Sequence, residues 1–420
     1  MNEIQFPSMK AKRPLGAALA LGLAATLVAE GASAVPTKNC FDSVERPKVV
    51  YVAGSSAVSG FLGVIQGILA AESSPYTIVY QSQGSCTGVS AVYAEDPASR
   101  LIKDIPAAGG KPANYARFYH ADGTTEECFL EPAGNPVDVG VSDVYAGTCD
   151  FAMAPAGVQI ADYQGPIQPM TFVVPALSTQ KVISAEAAYM IFGTGGHMGA
   201  AAPWTDPTYS FVRNESSGTQ QMIARAINVP ADKWWGKDRG GSSAVRDGLK
   251  ILLDASLAEQ AIGILSTDVA DDARSDLRVL AFKAFGQSCG YYPDSTPFLF
   301  DKRNVRDGHY PIWGPLHFYT RVSAGIPTEQ AGALVTRFAA PKLSNALVEA
   351  ITKKHLVPKC AMRVDRSTEM GTLKTYTTDS RCDCFFEEIV NGKTNCQACT
   401  QSSECPSSAP ACSYGYCETP

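Results

Sequence analysis

Arg213-Asn-Glu-Ser-Ser-Gly-Thr219 is the stretch on which the reading of this chain turns. Its arginine carries a planar fork of donors that keeps its charge at any working pH. A carboxylate follows two residues on, and Ser-Ser-Gly-Thr then opens a helix-like segment. The free backbone N–H groups and dipole of such a helix start form a second cluster of donors. Ser217 and Thr219 add hydroxyls, and Gly218 lets the backbone come close to a bound group. Together these are parts for holding a small oxyanion, and they gain meaning only if distant segments supply the opposite wall.

Upstream of this stretch the chain repeats one pattern. Val49 to Ala53 reads as a buried strand, Gly54-Ser55-Ser56 as a turn, and Val58, Phe61, Leu62, Ile65, Ile68 and Leu69 keep helical spacing. Tyr76 to Tyr80 is a second strand, and Gly84-Ser85-Cys86-Thr87-Gly88 leads into another short helix. Strand, Gly/Ser turn and helix in alternation are the grammar of an α/β domain, whose ligands bind at the carboxyl ends of the strands. Residues 96–136 interrupt the pattern with a hairpin from Tyr115 to Leu130, turning at Asp122-Gly123. Val137 to Val141 resumes it and leads to Ser142-Asp143.

Thr171 to Val174 reads as a strand leading away, and Ser184 caps a helix to Phe192. Beyond the opening stretch, helices are predicted over 217–228 and 243–260, a strand over 261–265, an extended segment over 310–319, and helices over 327–338 and 341–354.

The 420-residue chain is too long for one small core and suits two or three domains. With 45% hydrophobic and 18% charged residues it is globular, and a net charge of −6 gives no basic field to draw nucleic acid or anionic lipid. Lys10, Lys12 and Arg13, the apolar run Leu15 to Ala29, and Ala32-Ser33-Ala34 read as a secretory signal over residues 1–34. Export makes thirteen cysteines a disulfide framework with one thiol left over. Eight of them lie from Cys360 onward, where residues 380–420 turn polar and poor in aliphatics; this reads as a separate disulfide-held module.

Four segments carry comparable chemistry: Gly54-Ser55-Ser56, Gly84-Ser85, Val141-Ser142-Asp143, and Arg213 with Ser217-Gly218-Thr219. In order and spacing they resemble the periplasmic phosphate-binding proteins of ABC uptake systems, over roughly residues 47–355. The resemblance implies a two-lobed α/β fold of the Venus-flytrap kind, with the anion between the lobes. It nominates Ser55, Ser56 and the N–H of Ala57 from the first segment, and Ser85 from the second. Asp143 comes from the third, and Arg213, Ser217, Gly218 and Thr219 come from the fourth. Glu215 would stand behind Arg213 and fix its guanidinium. The chain departs from the family's pattern in having Ala57 where a Phe is usual, Cys86 where a Ser is usual, and some forty extra residues before Asp143.

A carboxylate facing an anion makes sense if the anion brings a proton. Phosphate at neutral pH can donate to Asp143, whereas fully ionised sulfate cannot. The expected organisation is lobe 1 over 46–172 and 310–379, lobe 2 over 173–309, and the Cys-rich module over 380–420. The expected function is capture of phosphate or a related oxyanion outside the cytoplasm, in the periplasm or at the cell surface, for an ABC permease. The protein is expected to act as a monomer, without catalysis, cofactor, metal or nucleic acid.

Two rivals stand beside this. One is a surface adhesion protein that keeps the fold for display and uses its tail for contact. The other is a secreted phosphoester hydrolase with Ser or Cys86 as nucleophile, since Gly84-Ser-Cys-Thr-Gly88 also fits a nucleophile elbow. The five histidines show no ligand spacing, and Cys396-x2-Cys399 in an exported chain points to disulfides before zinc. Asn214-Glu-Ser216 is a glycosylation sequon within the proposed site, which must be unmodified for an anion to enter.

Overall fold

A computed structural model describes residues 38–102, 114–151, 153–195, 197 and 201–419. The secretory signal read at 1–34 and part of the inserted segment, 103–113, lie outside the described residues. Val49–Gly54 and Thr77–Ser82 run parallel, with the helix Ser59–Ala70 as their crossover. Val50, Val52, Ile78 and Tyr80 face one core with Phe61, Leu62, Ile65 and Leu69, while Val49, Ala53 and Val79 face another. Apolar residues on both faces are why these strands read as near-continuous hydrophobic runs. Val139–Ser142 adds parallel on the other side of Val49–Gly54.

The hairpin expected at 115–130 forms from Tyr115–Tyr119 and Thr125–Phe129, turning through Gly123 at φ +82°. It pairs with Thr77–Ser82 at the outer edge of the sheet, tied down by the Cys40–Cys128 disulfide. The described part of the insertion therefore widens lobe 1.

Two long strands join the lobes. Gln159–Pro175 pairs antiparallel with Trp313–Ser323 from Gln159↔Val322 to Pro169↔Trp313. From Met170 onward it pairs instead with Ile262–Ser266 and Leu277–Val279 of the second lobe. There Ile262–Ser266 and Lys237–Asp238 flank Ser210–Val212, both parallel to it. The result is one continuous mixed sheet that passes through both lobes of a two-lobed α/β fold. The single helix predicted over 243–260 is two, Ser242–Lys250 and Ala255–Gln260, because Asp254 accepts from Ser256 and Leu257 N–H groups and starts the second.

The C-terminal segment is rich in disulfides as expected, but it is not separate. Cys360–Cys382 ties it to the preceding chain, and Cys384–Cys396, Cys399–Cys412 and Cys405–Cys417 close it internally. Its helix, Asp383–Asn391, carries Phe386 into the same apolar cluster as Trp313 and Val348. Arg306 reaches across to Asp383 at 2.6 Å. The segment cannot fill a core by itself and borrows that of the lobes.

Glu418, buried in this segment, accepts from the Cys384 N–H at 2.8 Å, and burial pushes its carboxyl up to about 7. A raised carboxyl contributes stability that is complete below the unfolded value near 4.3 and is lost as pH rises through the folded one. Between pH 5 and pH 8 the Tm of the wild-type protein should therefore fall further than that of Glu418→Gln. Parallel pH profiles for the two proteins would refute the assignment.

Candidate functional site

Both lobes aim the carboxyl ends of parallel strands at one place. In lobe 1, Val49–Gly54, Thr77–Ser82 and Val139–Ser142 lead to Ser55-Ser56, Ser85 and Asp143. In lobe 2, Ser210–Val212 leads to Arg213, and Lys237–Asp238 leads to Gly240 and Ser242. Helix starts at Ser59, Ser85, Gly218 and Ser242 follow directly. Gly54 is required at its strand end: with φ +138°, a Cβ there would lie 1.9 Å from the Val141 carbonyl oxygen.

Asp143 is 2% exposed. Its Oδ2 accepts from Ser55 Oγ at 2.7 Å and Ser85 Oγ at 3.1 Å, and its N–H donates back to Ser85 Oγ at 3.1 Å. Its Oδ1 is buried with no hydrogen-bond partner among the described residues. Burial pushes the carboxyl above the ordinary aspartate range, while the two serine hydroxyls and the Arg213 charge pull it back. Tyr80 fixes the turn by donating its hydroxyl to the Ser55 carbonyl.

Arg213, 4% exposed, is held by three partners: Nε donates to the Gly240 carbonyl, Nη1 to Ser242 Oγ at 2.8 Å, and Nη2 to Ser56 Oγ at 2.9 Å. Its backbone N–H donates to Gln220 Oε1 at 2.9 Å, and Gln220 is itself anchored on the Ala231 carbonyl at 2.8 Å. Ser242 Oγ and Ser56 Oγ lie 3.3 Å from each other, so they take the two parallel N–H groups of the guanidinium, the pair an entering oxyanion would take over. Burial pulls the guanidinium below its usual value, against the opposing pull of Asp143 and Asp238.

Ser217 caps the helix Gly218–Ile227 through Gln220 N–H. Gly218 lies so close to lobe 1 that a Cβ would meet Ser85 Oγ at 2.3 Å and Asp143 Oδ2 at 2.7 Å. Thr219 is fully buried, and its Oγ1 has no hydrogen-bond partner among the described residues. The lobes also touch beside the site, where Cys86 N–H donates to the Ser216 carbonyl at 3.1 Å and Ser216 Oγ to the Gln83 carbonyl at 3.2 Å.

Ser55, Ser56, Ser85, Asp143, Arg213, Ser217, Gly218 and Thr219 thus converge from both lobes. Two nominations need correction. Glu215 is exposed and its side chain does not fix Arg213; the turn at 215–216 faces it outward, and Gly240, Ser242 and Ser56 do that work. The Ala57 N–H is spent on Ser55 Oγ at 3.1 Å, a local turn, so it is not a free donor. Ser242 and Gly240 join the site without a sequence nomination, although Gly240-Gly241-Ser242 repeats the glycine–serine helix start seen in the other segments.

The nucleophile-elbow reading of Cys86 fails because Cys86 is bonded to Cys149. Cys399, Cys405 and Cys417 bring three sulfurs together, but all are in disulfides and offer no thiolate to a metal. The free thiol is Cys289, which is exposed.

No protein-family model matches this sequence, and neither does any curated protein. Solved structures do show likeness. One is a protein from Clostridium perfringens described as a phosphate ABC transporter substrate-binding protein with bound phosphate, at 14% identity and TM-score 0.48, over 74% of this chain and 99% of that one. Another is an ABC-type phosphate transport receptor from Vibrio cholerae, at 13% identity and TM-score 0.42, over 73% and 99%. A phosphate-binding protein from Stenotrophomonas maltophilia stands at 15% identity and TM-score 0.42, over 74% and 90%.

Proposed function

We propose that this chain is an exported solute-binding protein that captures phosphate, or a closely related protonated oxyanion, between its two lobes. We further propose that it delivers the anion to an ABC permease and does no chemistry on it. The observation that carries this reading is the buried Arg213 charge set across the lobe junction from the buried Asp143, whose Oδ1 has no partner among the described residues. Thr219 Oγ1 and the start of the helix Gly218–Ile227 add further groups for the same ligand. The two long strands that join the lobes would serve as the hinge, and the ligand would draw the lobes together by bonding to both. Six disulfides support export, and among the described residues no helix is long and apolar enough to cross a membrane.

Asp143 supplies the selectivity rule. Oδ2 is already occupied by two hydroxyls, so Oδ1 is the atom left to accept a ligand proton. Phosphate and arsenate can donate to it; sulfate would set two buried acceptors against each other, at about 1.5–3 kcal/mol or more. The test is calorimetric titration of the mature protein with phosphate, arsenate and sulfate, together with an assay for turnover of a chromogenic phosphoester. Stoichiometric phosphate binding without turnover is the expected result. Asp143→Asn should narrow the phosphate-over-sulfate preference by roughly tenfold or more. Unchanged sulfate competition in that variant would sink the selectivity rule, and failure of the wild type to bind any oxyanion would sink the reading itself.

A further inference from the structure

The Cys86–Cys149 disulfide lies directly beside the anion site. Cys86 follows Ser85, and Cys149 lies in the turn Ala146–Cys149, just after Asp143. The bond therefore joins the two segments whose side chains meet as Ser85 and Asp143. In sequence those two residues are 58 apart, with the hairpin and the inserted segment between them. Cys86 also bridges the lobes, because its N–H donates to the Ser216 carbonyl of lobe 2 at 3.1 Å.

We infer that the Cys86–Cys149 disulfide is a positioning device for the anion site, and that opening it lowers oxyanion affinity while the lobes stay folded. The inference rests on the anion-capture reading. The covalent link holds Ser85 Oγ on Asp143 Oδ2, so that Oδ1 is left for the ligand, and it holds the Cys86 N–H where the closing lobe meets it. Without the link, the turn that carries Ser85 and the one that follows Asp143 must be set against each other at the expense of binding. The disulfide is also within reach of solvent: Cys86 is half-buried and, with Cys149, lines an open groove of about 910 Å³ with Glu215, Ser216, Gln221 and Arg225. A dithiol entering there breaks one S–S bond. It supplies two electrons and two protons, leaves Cys86 and Cys149 as thiols, and closes into its own disulfide.

Lobe 1 carries a built-in control. Cys40–Cys128 spans 88 residues and Cys86–Cys149 spans 63, so the chain-entropy contribution of the two bonds to stability is comparable. Only the second touches the site. Phosphate Kd is measured by calorimetry for wild type, Cys86→Ser/Cys149→Ser and Cys40→Ser/Cys128→Ser, with Tm recorded for each. The expected result is that both variants lose Tm, but only the Cys86/Cys149 pair raises Kd, by about tenfold or more. Equal Kd in wild type and the Cys86/Cys149 variant would overturn the inference, as would an equal loss in both variants.

If that variant does not fold, the wild type is titrated with a dithiol, and mass spectrometry maps which bond opens as phosphate binding is followed. Loss of affinity in step with Cys86–Cys149 opening supports the inference, and undiminished binding after it opens overturns it. A wild type that binds no phosphate overturns the anion reading instead, and this inference with it.

Discussion

Arg213→Ala is expected to weaken phosphate binding by roughly a hundredfold to ten-thousandfold, the largest effect of any single change in the cleft. The estimate follows from the donor count. Three of the five guanidinium N–H groups are committed to Gly240, Ser242 and Ser56. An anion that takes over the parallel pair from the Ser242 and Ser56 hydroxyls would make two charge-assisted bonds, each about 1.5–3 kcal/mol. Their sum corresponds to the stated range of affinity. Arg213→Lys should recover little of it, because an ammonium cannot hold the Gly240 carbonyl and also present two parallel donors. Calorimetry with phosphate measures the loss, and a Tm within a few degrees of wild type shows that the lobes are intact. A folded Arg213→Ala protein that binds phosphate within tenfold of wild type would remove the arginine from the site and leave the display rival ahead.

The legible part of this site is the part written locally. Ser55, Ser85, Asp143 and the stretch from Arg213 to Thr219 each stand where a buried strand runs into a turn or helix start, and that signature is contained within about ten residues. What sequence could not supply was direction. Glu215 is two residues from Arg213, but the turn between them faces it to solvent, and the partner that holds Nη1 is Ser242, 29 positions away. The same limit governs the fold. Gln159–Pro175 is readable as a strand only over its apolar end. Its first half, with Gln159, Asp162, Gln164, Gly165 and Pro166, is extended because Trp313–Ser323 pairs with it, and that is a non-local cause. Cysteine pairing is non-local in the same way: composition implies disulfides, and only three-dimensional proximity chooses Cys360–Cys382 across the boundary drawn at residue 380.

The second large effect concerns stability. Lys302 is fully buried, with Nζ 2.6 Å from Asp271 and 2.8 Å from Asp294. Arg274 closes the other side, at 2.6 Å and 2.7 Å from the same two carboxylates. The four charges sum to zero and pin the chain around 294–302 to the helix Thr267–Asp271, which follows a central strand of lobe 2. Burial opposes the Lys302 charge, but the two carboxylates outweigh it and raise its pKa. A raised lysine contributes stability that is complete below its unfolded value near 10.4 and is lost only as pH rises through the folded one. Burial holds the Asp294 carboxyl above the ordinary aspartate range, so acid removes a carboxylate from the network first.

Lys302→Met leaves two buried carboxylates sharing one arginine. It should cost about 3–5 kcal/mol, a fall of roughly 6–20 °C in Tm at the per-kcal scaling of large domains. Removing a charge of each sign restores neutrality, so Lys302→Met/Asp294→Asn should lose less than the sum of its single changes. Thermal melts of the three variants decide the matter. Strict additivity, or a shift under about 2 °C for Lys302→Met, would mean that the box of charges is a passenger in this lobe rather than one of its supports.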